Sequence, residues 1–134
     1  MHHSDYPLDK FLFFKQARLV SYLSESITSK NKRMGAVLFK GKSVLSFGCN
    51  IINKTHPLHK TAIKSIHAEL SCIIKRRHYN DIKGCSIIVY RETVDGKPAL
   101  AKPCINCENI IKAFGIKKVY YSIPTAPYYE IIKF

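Results

Sequence analysis

The sequence predicts an α/β fold in which helices cover both faces of a mixed sheet of four to five strands. Three observations carry that expectation. Apolar residues at positions 8, 11, 12, 19, 20 and 23 form a helical stripe that opens just after Pro7, so the first helix is expected from Leu8 to roughly Ser26. Gly35 to Lys40 and Ser43 to Cys49 alternate around Gly41-Lys42, the pattern of an antiparallel hairpin. Farther on, an apolar run, a helical stretch and a second apolar run follow one another, and strand, helix, strand in one sheet requires a parallel crossover.

The elements follow in chain order. Asn50 to Ile66 contains Asn53, Pro57 and three lysines with little periodicity, which predicts a long loop delivering residues to a site. His67 then begins a helix whose Leu70, Ile73 and Ile74 pack inward. Lys75, Arg76 and Arg77 close it with positive charge suited to a helix C-terminus. Ser86 to Tyr90 is apolar without alternation, as a strand covered on both faces should be. The connection Glu92 to Lys102 is long, and its Asp95-Gly96 suggests a small hairpin or flap. Cys104 to Phe114 forms the next helix, stopped by Gly115 at C′, and Lys117 to Ser122 returns to the sheet. Only 12 residues follow Ser122. They offer a short antiparallel strand around Tyr128 to Phe134, or the sheet ends at four strands.

A chain of 134 residues that is 46% hydrophobic is expected to be one domain, 1–134, with its own core. No apolar run approaches the roughly 20 residues of a membrane span. The N-terminal stretch carries Asp5, Asp9, Lys15 and Arg18, unlike a secretory signal, so a soluble, intracellular and cytoplasmic protein is expected. An odd count of five cysteines argues against a disulfide scaffold. Cys49, Cys72 and Cys85 sit in apolar surroundings and read as core thiols. The net charge of +13 would attract phosphate and steer a polyanion. Lysines scattered through the whole sequence fit biased composition equally well, and both readings stand.

The chemistry concentrates in His67-Ala68-Glu69 and in Pro103-Cys104-Ile105-Asn106-Cys107. A catalytic zinc takes three protein ligands from Cys and His and leaves its fourth position to water. His67, Cys104 and Cys107 make that count. With Pro103 at the N1 position of a helix, both thiols lie on one face of its first turn, where the helix N-terminus favours thiolates. Glu69, two residues from His67, is placed to act as general acid and base rather than as a further ligand. A closed structural site would need a fourth ligand such as His56, His59 or His78, and nothing in their spacing recommends them.

The order H-A-E then P-C-x-x-C resembles the zinc nucleobase deaminases, the group that holds deoxycytidylate deaminases, tRNA adenosine deaminases and the AID/APOBEC polynucleotide deaminases. Met34 to Leu38, Phe47 to Asn50 and Gly115 to Tyr121 resemble strands of that group, so the match covers roughly residues 34–122. The resemblance implies a three-layer α/β/α cytidine-deaminase-like fold and the zinc-dependent hydrolysis of cytosine to uracil, with Glu69 as proton shuttle. It also implies that Asn50 bonds the sugar, that the Ala68 N–H holds the base carbonyl and that the Lys102 carbonyl accepts from the amino group. Tyr121 belongs to a tyrosine-rich tail where relatives hold a flanking base; packing on the core or a homo-oligomer interface are its ordinary alternatives. The implied substrate is a cytidine nucleotide such as deoxycytidylate, with single-stranded DNA or RNA as runner-up and tRNA adenosine behind it. A non-catalytic zinc module is the third reading, against which Glu69 argues. Relatives assemble as dimers or hexamers, and a homo-oligomer is compatible with the sequence.

Overall fold

The computed structural model describes residues 11–23, 33–52, 65–79 and 81–134. Its elements run α1 (Leu12–Ser21), β1 (Arg33–Lys40), β2 (Ser43–Cys49), β3 (Ile51–Ile52), β4 (Ser65–Ile66), α2 (Ala68–Arg76), β5 (Ser86–Glu92), β6 (Pro98–Ala99), α3 (Ile105–Ala113), β7 (Lys118–Ser122) and β8 (Tyr129–Lys133). The main sheet has the order β2-β1-β5-β7-β8, with β6 attached to the end of β5. β5 and β7 are parallel, and the other neighbours are antiparallel. The sheet is mixed as expected, and the C-terminal tail closes it as an antiparallel fifth strand.

β5 shows why its sequence lacks alternation. Ile87 and Val89 enter a core cluster with Leu70, Ile73, Ile110 and Ile111 of α2 and α3. Ile88 and Tyr90 enter a second cluster with Phe14 and Ala17 of α1. Both faces of the central strand are thus covered, and each residue of the run has a buried side to fill.

Two close approaches set the helix positions. A Cβ at Gly35 of β1 would overlap the carbonyl of Ala17 and stand 2.7 Å from the Ser21 nitrogen, so α1 lies directly on the strand. On the other face, a Cβ at Gly48 of β2 would stand 2.5 Å from the Ala68 carbonyl oxygen and 2.6 Å from the Cys72 nitrogen. α2 is drawn in equally close. Gly115 (φ +79°) ends α3 in the left-handed conformation that only glycine adopts cheaply.

Some boundaries differ from the sequence expectation. Observed α1 spans Leu12–Ser21, while residues 8–10 and 24–26 of the predicted helix lie outside the described residues. The segment 50–66, expected as loop throughout, pairs its two ends as β3 and β4, and residues 53–64 lie outside the described ones. The flap is a hairpin. The Thr93 N–H donates to the Lys97 carbonyl at 2.9 Å and the Gly96 N–H to the Thr93 carbonyl at 3.0 Å, turning the chain so that Pro98 pairs with Glu92.

Candidate active site

Two helix N-termini meet on the α2/α3 face of the sheet. His67 is the N-cap of α2, in extended conformation, and Cys104 is the N-cap of α3. Pro103 therefore lies one residue outside the helix, at N′ rather than the N1 position predicted for it. The reason is local: the Cys104 Sγ accepts from the Cys107 N–H at 3.5 Å and so takes the capping place that Ser or Asp usually fills. Both thiols still fall within one turn.

The side chains of His67, Cys104 and Cys107 converge, with their ligand atoms all within 4.8 Å of one another. His67 Nδ1 lies 3.3 Å from Cys107 Sγ and 3.8 Å from Cys104 Sγ. A tetrahedral zinc with ordinary Zn–S and Zn–N bond lengths sets N···S edges of about 3.6 Å, so this donor set fits that ion. The chemistry agrees. Burial and the adjacent Glu69 carboxyl push the Cys107 thiol far up from its usual range, and a thiolate there calls for a cation beside it. His78, considered as a fourth ligand, is exposed and lies outside the group; His56 and His59 fall outside the described residues.

Glu69, in the first turn of α2, is 2% exposed and its Oε1 has no hydrogen-bond partner. Desolvation pushes its carboxyl up to about 7, with a backbone hydrogen bond and the Cys107 thiol pulling weakly the other way. A carboxyl in that range exchanges protons readily in both directions near neutrality. An unpartnered buried oxygen costs stability, and beside a three-ligand metal group it is ready for a polar ligand.

The remaining predicted contacts divide. Ala68 adjoins His67, and its N–H donates to Asn50 Oδ1 at 3.0 Å, so these two residues meet each other at the start of α2. Lys102 is exposed, two residues ahead of Cys104. Tyr121 is 6% exposed in the core cluster of the same sheet face, with its hydroxyl 3.4 Å from Glu130 Oε1 across the β7–β8 pair. Stacking on a base needs an open ring face, and the Tyr121 ring is enclosed.

A family described as the cytidine and deoxycytidylate deaminase zinc-binding region matches residues 9–123. The chain belongs to this deaminase family. Its fold is also that of solved members. The dCMP deaminase of cyanophage S-TIM5 in apo form shares 27% identity over 90% of this chain and 86% of its own, with a TM-score of 0.62. The same enzyme in complex with dCMP and dUMP shares 25% over 87% and 82%, with a TM-score of 0.63. A bifunctional diaminohydroxyphosphoribosylaminopyrimidine deaminase and reductase of Thermotoga maritima matches 95% of this chain and 32% of its own at 23% identity and a TM-score of 0.54, a likeness of fold alone. No curated protein sequence matches significantly.

Sequence reading passed over a residue that anchors the segment leading into α3. The hydroxyl of Ser122, at the end of β7, donates to the Ala99 carbonyl at 2.7 Å and accepts from the Arg91 N–H at 3.1 Å. Its own carbonyl accepts from the Ala101 N–H at 2.9 Å. Ser122 thus ties the segment leading into Cys104 to two strands. Its complete burial is the only signal of that role, and burial of a serine is not written in local sequence.

Proposed function

We propose that this protein is a zinc-dependent deaminase that hydrolyses cytosine to uracil in a nucleotide of the deoxycytidylate type. The observation that carries the reading is the buried Glu69 carboxyl, one oxygen unpartnered, beside a His, Cys, Cys group of zinc-binding spacing. A solely structural metal site has no use for such a group. Membership of the deaminase family supports the reaction class, and the likeness to a phage dCMP deaminase over most of both chains supports the nucleotide substrate.

Zinc held by His67, Cys104 and Cys107 would supply Lewis-acid activation of a water. Glu69 then does the proton work. It takes a proton from the attacking water as C4 of the ring becomes tetrahedral and passes it to the ring nitrogen, then takes the remaining hydroxyl proton as the C4 carbonyl forms and passes it to the departing amine. Cytosine and water give uracil and ammonia. The backbone carbonyl of Lys102, at the entrance to α3, accepts from the amino group before it leaves. Enclosure of Glu69 at 2% exposure keeps bulk water away from that shuttle.

Glu69→Gln tests the assignment. The amide preserves shape and hydrogen bonding but cannot cycle a proton, so turnover of dCMP should fall at least the 10²- to 10⁴-fold typical of a lost acid–base group, with zinc content unchanged by elemental analysis. Retention of near-wild-type turnover would remove Glu69 from the mechanism.

A further inference from the structure

The helix that carries both His67 and Glu69 has an unusual start. Its N-cap, His67, makes no side-chain cap bond, because its Nδ1 is directed at the two cysteine sulfurs. An N-cap side chain ordinarily satisfies one of the first free N–H groups of a helix. Here that side chain serves the metal group instead. Ala68, the first helical residue, is completely buried, so its N–H has no recourse to solvent and an unmet donor there would be costly.

The missing cap comes from the residue that follows β2. Ser46, Gly48 and Asn50 alternate, as residues on one face of an extended segment do, and each meets α2. The Ser46 hydroxyl donates to the Cys72 carbonyl at 2.8 Å. Gly48 leaves room for the helix backbone, as its close contacts to Ala68 and Cys72 require. Asn50 Oδ1 accepts from the Ala68 N–H at 3.0 Å, and since the partner is a donor, the oxygen and not the amide nitrogen of Asn50 must face it.

We infer that Asn50 is a positioning residue that caps α2 from the end of β2 and thereby fixes the metal ligand His67 and the proton shuttle Glu69. The inference rests on the functional reading above and changes what the family resemblance implies for Asn50 and Ala68. The Ala68 N–H is already engaged, so a base carbonyl would have to share or displace the Asn50 oxygen, and the principal consequence of losing Asn50 lies in the geometry of His67 and Glu69 rather than in a lost sugar contact.

Full-length protein with Asn50→Ala and Asn50→Asp decides the matter, because aspartate keeps the accepting oxygen and gives up the amide donor. Competition with a chelator should show zinc held about 10- to 100-fold more weakly by Asn50→Ala, the usual loss when a group orienting a ligand is removed. The visible spectrum of its cobalt form should shift, the Ala68 amide should exchange faster with solvent in the metal-free protein, and kcat should fall far more than KM rises. Asn50→Asp should restore the cobalt spectrum and the metal affinity. Wild-type metal affinity and cobalt spectrum in Asn50→Ala, with only KM raised, would overturn the inference. If Asn50→Ala does not fold, the aspartate variant decides alone: a wild-type cobalt spectrum supports the cap and an altered one overturns it. Failure of the wild-type protein to deaminate dCMP would strike the functional reading, and the metal and exchange measurements would still decide this one.

Discussion

Glu69 and Glu92 are both buried carboxylates, 2% and 1% exposed, yet only one is left with an oxygen unmet. Glu92, on the α1 face of the sheet, accepts from Arg18 Nε at 2.9 Å, from the Tyr90 hydroxyl at 2.8 Å and from the Tyr22 hydroxyl at 3.2 Å, with Arg33 Nη1 3.7 Å away. A group so thoroughly partnered holds structure together. Replacing it by alanine strips Arg18 of a buried counter-charge, and breaking such a pair costs about 3–5 kcal/mol. Denaturant unfolding of Glu92→Ala should show that loss, while zinc binding by the folded fraction stays as in wild type because the metal group is on the opposite face. A variant with normal stability and weakened zinc would refute this division of roles. The sequence made Glu69 legible because metal chemistry fixes the spacing of its neighbours. Glu92 was not legible: it was read as part of a flap, and its partner Arg18 lies 74 residues away.

Among the elements, α2 and α3 were readable from periodicity and from the cysteine pair, and the hairpin from its alternation about Gly41. Their exact starts were not readable. Whether Pro103 opens α3 or precedes it depends on which atom caps the helix, a matter of side-chain geometry that spacing does not encode. The β3–β4 pair is only two residues on each strand, too short for any periodic signal. Gly48 and Gly35 make the element-level account testable, since each lets one helix lie on the sheet, on opposite faces. Alanine at either position forces backbone to move and should cost at least the 1–3 kcal/mol typical of overpacking. Only Gly48→Ala pushes directly on the turn between Ala68 and Cys72, so it should weaken zinc affinity in the folded protein while Gly35→Ala leaves it intact. Equal effects of the two on zinc, measured by chelator competition, would show that α2 is not seated by this contact.

For the molecule as a whole, the mixed sheet followed from the order of elements, while the few residues left after Ser122 allowed either a short antiparallel fifth strand or a sheet of four, and the pairing of β8 with β7 decides for the strand. The tyrosine-rich tail was less legible, since an aromatic run reads the same whether it stacks on a base or packs on a core. The structure places Tyr120, Tyr128 and Tyr129, each partly buried, against the cluster around α1 and Tyr121 in the core on the other face. Among the described residues no helix is long and apolar enough to cross a membrane. The charge of +13 suits a phosphorylated substrate of any length, and composition alone does not choose between a mononucleotide and a strand. The measurement that decides is chromatography of products, with ammonia release, from zinc-loaded protein offered dCMP, CMP, cytidine and a cytosine-containing single-stranded oligonucleotide in parallel at low and high salt. The account predicts dUMP and ammonia in equal amounts from dCMP. Conversion of the oligonucleotide alone, falling steeply as salt rises, would contradict it.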